Sequence, residues 1–185
     1  MLTAWGDESG SQPARDPGTY ILAAALIEDD DIPLVRKTMD GLLLPGETKV
    51  HWHGSSEERR HALVCTVASL PVCGLVVVHC DLSANDRRHR RKCLEHLFPH
   101  LEYLACGSVT LESRGAKDGS DLDILQKFRA RQIVTGPLRL DHVVGRSESV
   151  LAVADVLCGA VVQSRVGNPT YLEALGGLVD IHHVS

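Results

Sequence analysis

The sequence predicts an α/β fold, a mixed sheet of about five strands with helices on both faces. Three observations carry that expectation. From residue 71 onward, apolar runs of strand length alternate with stretches of helical periodicity, the pattern of parallel strands joined through helices. The first two apolar runs are separated only by the turn-rich stretch "SGSQPARDPG" (9–18), as in an antiparallel pair. Finally, 185 residues at 44% hydrophobic are enough to bury a sizeable core. No internal repeat, low-complexity tract or linker divides the chain, so residues 1–185 read as one domain.

Taken in order, 2–7 is a short strand and 20–27, "YILAAALI", a buried one. Residues 31–44 are helical, with Ile32, Val35, Met39, Leu42 and Leu43 at helical spacing and Pro45-Gly46 as the stop. The stretch "ETKVHWHGSS" (47–56) is a loop or a short extended piece. Ser55 or Ser56 then caps a helix over 57–70, with acidic residues in its first turn and Pro71 at its end. "CGLVVVHCDL" (73–82) is the clearest buried strand, and a helix with a basic start covers 85–103. A strand at 109–112, the loop "SRGAKDGS" (113–120), a helix over 121–133, a strand over 138–144 and an apolar helix over 147–165 follow. The tail, broken by Gly, Asn and Pro, is assigned no element. The order is β-β-α-α-β-α-β-α-β-α.

Composition excludes several classes. A formal net charge of -5 gives no general attraction to nucleic acid, so a polyanion would need a local basic patch or metal ions. The six cysteines form no Cys-x-x-Cys pair, which argues against a zinc knuckle or thioredoxin-type site and fits a reduced, cytoplasmic protein. The start has no signal-peptide pattern, and no apolar run reaches the roughly 18 residues of a transmembrane helix. No glycine-rich phosphate loop and no nucleophile elbow occur.

The carboxylates carry the functional signal. Asp7 and Glu8 lie at the end of the first expected strand, Glu112 at the end of a later one. Asp155 sits inside "LAVADVLCGAV" (151–161), where an ionised carboxylate needs an ion pair, an N–H donor or a metal. Gly159 and Ala160, one turn on, would let that face approach the sheet closely. Asp7, Glu112 and Asp155 together suit a hard divalent cation, Mg²⁺ or Mn²⁺. Two such ions about 3.5–4 Å apart can drive phosphodiester cleavage. On spacing alone a solvated turn and a paired helix carboxylate are the commoner explanation, since structural ion pairs abound.

The start, Asp7-Glu8-Ser9-Gly10 after a short strand, resembles the bacterial family known as domain of unknown function 3800, which opens on Asp-Glu-Ser-Gly. That family closes with Leu-Gln-apolar-Ala-Asp on a helix; here the stretch is Leu151-Ala152-Val153-Ala154-Asp155, followed by Gly159-Ala160. The two motifs bracket most of the chain. The resemblance implies a ribonuclease H-like fold, with a mixed five-stranded sheet, and a divalent-metal nuclease acting on RNA or DNA. By motif it carries Asp7 and Asp155 over as metal ligands, and by position at a strand end Glu112. Ala152 stands where the family has Gln, and Gly6 where it has an apolar residue. Both fit an alternative, a non-catalytic binding or regulatory module on the same fold.

Other signals are secondary. Arg87, Arg88, Arg90, Arg91 and Lys92 crowd one helix start and could grip a phosphate backbone, although a helix spreads them over more than half its circumference. Lys49, His51 and His53 lie in "KVHWHG" (49–54). If extended, the two histidines share a face with Trp52 turned inward, and could bind a transition metal or move a proton. A transition-metal protein built on them would be a third class. Glu8 either assists at the metal or stays solvated. Asp141 is a further candidate ligand, Asp121 a helix cap or first-turn charge. His182 and His183 are given no role.

Overall fold

The computed structural model describes residues 1–185. A six-stranded sheet is ordered β5-β4-β1-β2-β3-β6, from β1 (Leu2–Gly10), β2 (Thr19–Glu28), β3 (Cys73–Cys80), β4 (Cys106–Glu112), β5 (Arg139–Val143) and β6 (Val179–Val184). Only β2 runs against the rest: β1 pairs with it antiparallel and with β4 parallel, and β3 is antiparallel to β2 and parallel to β6. Thus β1 is central and adjacent to β4. The helices are α1 (Ile32–Asp40), α2 (Glu57–Ala68), α3 (Asp86–Tyr103), α4 (Asp118–Ala130), α5 (Leu151–Arg165) and α6 (Thr170–Ala174).

Alternation along the strands divides the core in two. Trp5, Ile21, Ala23, Val76 and Val78 face α1, α2, α5 and α6. Ala4, Leu22, Ala24, Leu75 and Val77 face α3 and α4. The mixed sheet covered on both faces is as expected, but with six strands rather than about five. The sixth comes from the tail. "VDIHHV" has a histidine pair where strand signals are usually apolar, and it lies on an edge, where short polar strands are common.

Among the other boundaries that differ from expectation, two have a clear local reason. The helix expected over 31–44 stops at Asp40. Gly41 follows, a poor helix former, and Leu42 and Leu43 close tight turns onto Met39 and Asp40. The first strand does not stop at Asp7 but continues to Gly10, because Glu8, Ser9 and Gly10 pair with Leu22, Ile21 and Tyr20. The turn starts only after Gly10. Gly6 also has a local reason. A Cβ there would lie 2.5 Å from Leu111 Cδ2 and 3.1 Å from the Ala23 carbonyl, so the missing side chain lets β4 pack closely on β1.

The loop between β1 and β2 is tied to the far end of α5. Arg165 donates from Nε to Asp16 Oδ2 at 2.6 Å and from a terminal nitrogen to Oδ1 at 2.8 Å, and Thr19 Oγ1 donates to Asp16 Oδ1 at 3.0 Å. The hydrogen bonds from Arg165 hold the Asp16 carboxyl at about 2, below its ordinary 3.8. A lowered carboxyl pKa stabilises the fold above the unfolded value, and that contribution is lost as pH falls through the folded one. Asp16→Asn is therefore expected to cost about 1 kcal/mol near neutral pH, a figure reduced for solvent screening. The difference from the parent should shrink as pH falls from about 4 to about 2. Denaturant melts at several pH values check this; a difference that grows on acidification would contradict it.

Candidate active site

The parallel pairing of β1 with β4 ends at Gly6 opposite Leu111, one residue before Asp7 and Glu112. Asp7 shares a sheet face with Trp5, and Glu112 points the same way because Val109 and Leu111 belong to the opposite core. That face lies under α5, whose Cys158 Sγ donates to the Asp7 carbonyl at 3.4 Å. Asp155 lies in the second turn of α5. Its Oδ2 accepts the Trp52 N–H at 2.9 Å. Trp52 is held in turn against Gly159, where any Cβ would strike the indole ring, and edge-on to Tyr171. The Gly159 seen in the sequence thus makes room for a tryptophan rather than for the sheet.

The loop between α1 and α2 supplies Lys49. Its ammonium lies 3.6 Å from Asp7 Oδ2 and donates to Glu112 Oε2. Gly145, just after β5, leaves the space for this contact: a Cβ there would lie 3.0 Å from Lys49 Cδ and would collide with the Glu112 carboxylate. Asp7, Glu112, Asp155 and Lys49 thus form one group, three carboxylates against one ammonium. Burial is the main reason the Asp7 carboxyl is raised to about 8. Lys49 opposes the shift, and the charges of Glu112 and Asp155 add to it. Burial likewise raises Asp155 against the Trp52 N–H and Lys49. For Lys49 burial works to lower the ammonium, but Asp7 and Glu112 outweigh it and the net direction is up.

Glu8, the next residue on β1, faces the other way. It neither assists at this group nor stays solvated: Arg90 pairs with Oε2, and Arg114 lies 3.3 Å from Oε1. Arg90 is 2% exposed, so it is not available to a phosphate backbone as expected from the sequence. Its Nε and a terminal nitrogen donate to Asp121 at 2.9 and 2.7 Å. Asp121 lies in the first turn of α4, as one of its two expected readings has it, but at 1% exposed it is a buried hub and not a cap, and His142 Nε2 lies 2.9 Å from its Oδ2. Burial works to raise the Asp121 carboxyl, but bonds from His142 and Arg90 hold it below its ordinary value. Helical spacing carries a signal for Arg90, which shares the buried stripe of α3 with Cys93, Leu94, Leu97 and Leu101. Nothing local marks Asp121, Arg114 or His142.

The remaining candidates fall around this end of the sheet. Arg87, Arg88 and Arg91 are exposed at the start of α3 and, with Arg114, Lys127 and Arg131, line a cleft of about 750 Å³ between α3 and α4. Arg88 and Arg91 are partly answered by Asp81 and Glu95, and Lys92 donates to the Ser185 carbonyl. His51 and His53 are exposed on either side of the buried Trp52, outside any strand, and form no metal-sized cluster. Asp141 is exposed on the Glu112 face, opposite Thr110 of β4. A groove of about 160 Å³ beside Lys49 is lined by Arg36 and Arg146, neither singled out by the sequence.

No family model matches the chain. No curated protein matches it either. Solved structures do. The chain is similar to one from a complex of PCNA with RNase HII of Archaeoglobus fulgidus, at TM-score 0.59 and 14% identity over 96% of this chain and 79% of that one. It is similar to ribonuclease H2 of Pyrococcus horikoshii OT3, at TM-score 0.52 and 12% identity over 90% and 74%. It is similar to a mutant form of Bst-RNase HIII, at TM-score 0.53 and 13% identity over 88% and 52%. The fold is ribonuclease H-like. No helix is long and apolar enough to cross a membrane.

Proposed function

We propose that the chain is a divalent-metal-dependent nuclease that cleaves phosphodiester bonds in RNA or DNA, a single ribonuclease H-like domain of the domain of unknown function 3800 family. The observation that carries the reading is the convergence of Asp7, Glu112 and Asp155 at one end of the sheet. Three carboxylates against one ammonium leave negative charge to be answered, and oxygen donors of this kind suit Mg²⁺ or Mn²⁺. A bound cation would supply an activated water and stabilise the leaving oxygen. Lys49, kept protonated by Asp7 and Glu112, brings a positive charge to where phosphoryl oxygens gather negative charge. Trp52 fixes Asp155 through its N–H, and Gly145 lets Lys49 and Glu112 approach. Arg36 and Arg146 beside this group, and Arg87, Arg88, Arg91 and Lys92 across the end of the sheet, would track the backbone of a nucleic acid. His51 borders the group, Asp141 lies on the same sheet face opposite Thr110, and His53 has no part in it. The six free cysteines fit a reducing cytoplasm.

One observation favours a second reading. Lys49 itself pairs with Asp7 and Glu112 and could stand in for the cation, which would make the chain a non-catalytic nucleic-acid-binding module. Thermal melts and cleavage assays on single-stranded RNA, DNA and an RNA–DNA hybrid, with Mg²⁺ or Mn²⁺, separate the two. The nuclease reading expects the parent protein to be stabilised by cation and to cut at least one substrate. If only Lys49→Met gains a cation response and the parent cuts nothing, Lys49 has replaced the metal and the second reading holds.

A further inference from the structure

A second cluster of metal-ligating side chains lies away from the carboxylates. His96 and His100 are one helical turn apart on α3 and so share a face. His182 reaches them from β6, the outermost strand on that side of the sheet. One ring nitrogen from each lies within 4.8 Å of the others. The rings sit 4.8 Å apart for His96–His182 and for His100–His182, and 6.0 Å for His96–His100. All three are half-buried, so the site is sheltered yet reachable.

We propose that His96, His100 and His182 bind a late first-row transition-metal dication, zinc foremost, which clamps strand β6 to helix α3. Three imidazoles on a rigid helix and a strand are a ligand set for Zn²⁺, with a fourth position left for water. Zinc-to-imidazole bonds of about 2.0–2.1 Å place tetrahedral ligand nitrogens roughly 3.4 Å apart. The three nitrogens all lie within 4.8 Å of one another, within reach of that spacing by small side-chain movements, and His96 Nε2 and His182 Nδ1, now 2.8 Å apart, need only separate slightly. The second nitrogen of His182 is already oriented: its Nε2 lies 2.8 Å from Asp180 Oδ2. A carboxylate on the far nitrogen fixes the ring and leaves Nδ1 with its lone pair toward the cluster, the usual support for a metal-bound histidine. Oxygen-seeking Mg²⁺ would not choose these nitrogens, so the two sites would be chemically distinct.

Strand β6 has a sheet neighbour only in β3, and a metal would strengthen its attachment to α3, now made by the His96–His182 and Lys92–Ser185 hydrogen bonds. Because such an ion binds only the folded arrangement, it raises stability. The test is titration of the metal-stripped chain with Zn²⁺ in excess Mg²⁺, added to compete at the carboxylates, followed by the visible spectrum with Co²⁺. One Zn²⁺ should bind per chain with a dissociation constant of about 1 µM or tighter, raising the melting temperature. Co²⁺ should show the intense visible band of a tetrahedral nitrogen site. His96→Gln and His182→Gln should each weaken zinc at least about 100-fold, and Asp180→Asn about 10- to 100-fold. All three should leave the Mg²⁺ or Mn²⁺ response unchanged. Zinc binding by the parent weaker than about 100 µM would overturn the proposal. So would zinc binding that persists in His96→Gln/His182→Gln, or a six-coordinate Co²⁺ spectrum in the parent. The parent measurements need no variant, so a misfolded variant does not shelter the idea.

Discussion

Asp155→Asn is expected to abolish the cation response and any cleavage while leaving the metal-free protein about as stable as the parent, or slightly more so. The asparagine oxygen can still accept the Trp52 N–H that Asp155 accepts at 2.9 Å. The charge it removes is one that burial already disfavours, since the Asp155 carboxyl is raised above its ordinary value. A saturating cation, at about 100 times its dissociation constant, should stabilise the parent by about 2.7 kcal/mol, or about 5–10 °C in a chain of this size. The variant should show little of this. Cleavage should fall by at least about 100-fold. Asp155→Ala separates the two roles of the residue. It also removes the acceptor, leaves the Trp52 N–H unanswered and should cost a further 1–3 kcal/mol or so without metal. Thermal melts of the three proteins, with and without Mn²⁺, are decisive. If Asp155→Asn loses about 3–5 kcal/mol regardless of cation, Asp155 is a structural ion-pair residue and the metal-site hypothesis fails.

The sequence makes the position of this group legible, but not its wiring. Asp7 and Glu112 are marked only by their place at strand ends and by the resemblance, whereas Asp155 stands out because a carboxylate inside an apolar helix is costly, and that cost is visible locally. The alternation of apolar runs makes the layers legible for the same reason. What stays hidden depends on contacts between distant segments. That Asp7 and Glu8 separate onto opposite faces follows from β1 running on to Gly10, and the pairing with Tyr20 that extends it has no local signature beside a Ser-Gly pair. Gly6 and Ala152, which in the sequence fit a non-catalytic module, both sit in packed surroundings that only the structure shows. Gly6 answers Leu111 of the neighbouring strand, and Ala152 is a buried core residue of α5. Strand β6 is hard to see because its histidines resemble a polar tail, and the cluster it forms with α3 is hidden with it.

Arg90→Met should cause the largest loss of stability of any change considered, about 3–5 kcal/mol, the usual cost of removing one partner from a buried ion pair. Arg90 serves Asp121 with three hydrogen bonds, Glu8 with a fourth and the Tyr20 hydroxyl at 3.3 Å, all on the side of the sheet opposite Asp7. Without it Asp121, 1% exposed, keeps only His142 and the more distant Arg114, and Glu8 keeps only Arg114. Methionine fills much of the volume, so the loss reports charge rather than a cavity. Arg90→Lys should fall between, since an ammonium keeps the charge but not the paired geometry of the guanidinium. Adding Asp121→Leu to Arg90→Met should recover part of the loss, because two apolar side chains leave one fewer buried charge unanswered. Because the network is buried, the loss should change little with salt, unlike the effect of neutralising Arg87 or Arg91 on the exposed face. Denaturant melts at low and high salt measure all of this. A loss under about 1 kcal/mol that disappears in salt would return Arg90 to the exposed basic cluster that the sequence suggests. If Arg90→Met still folds, its Mn²⁺ response should survive, since Asp7, Glu112 and Asp155 lie across the sheet from the change. Loss of that response in a folded variant would mean that the two faces of β1 act as one site.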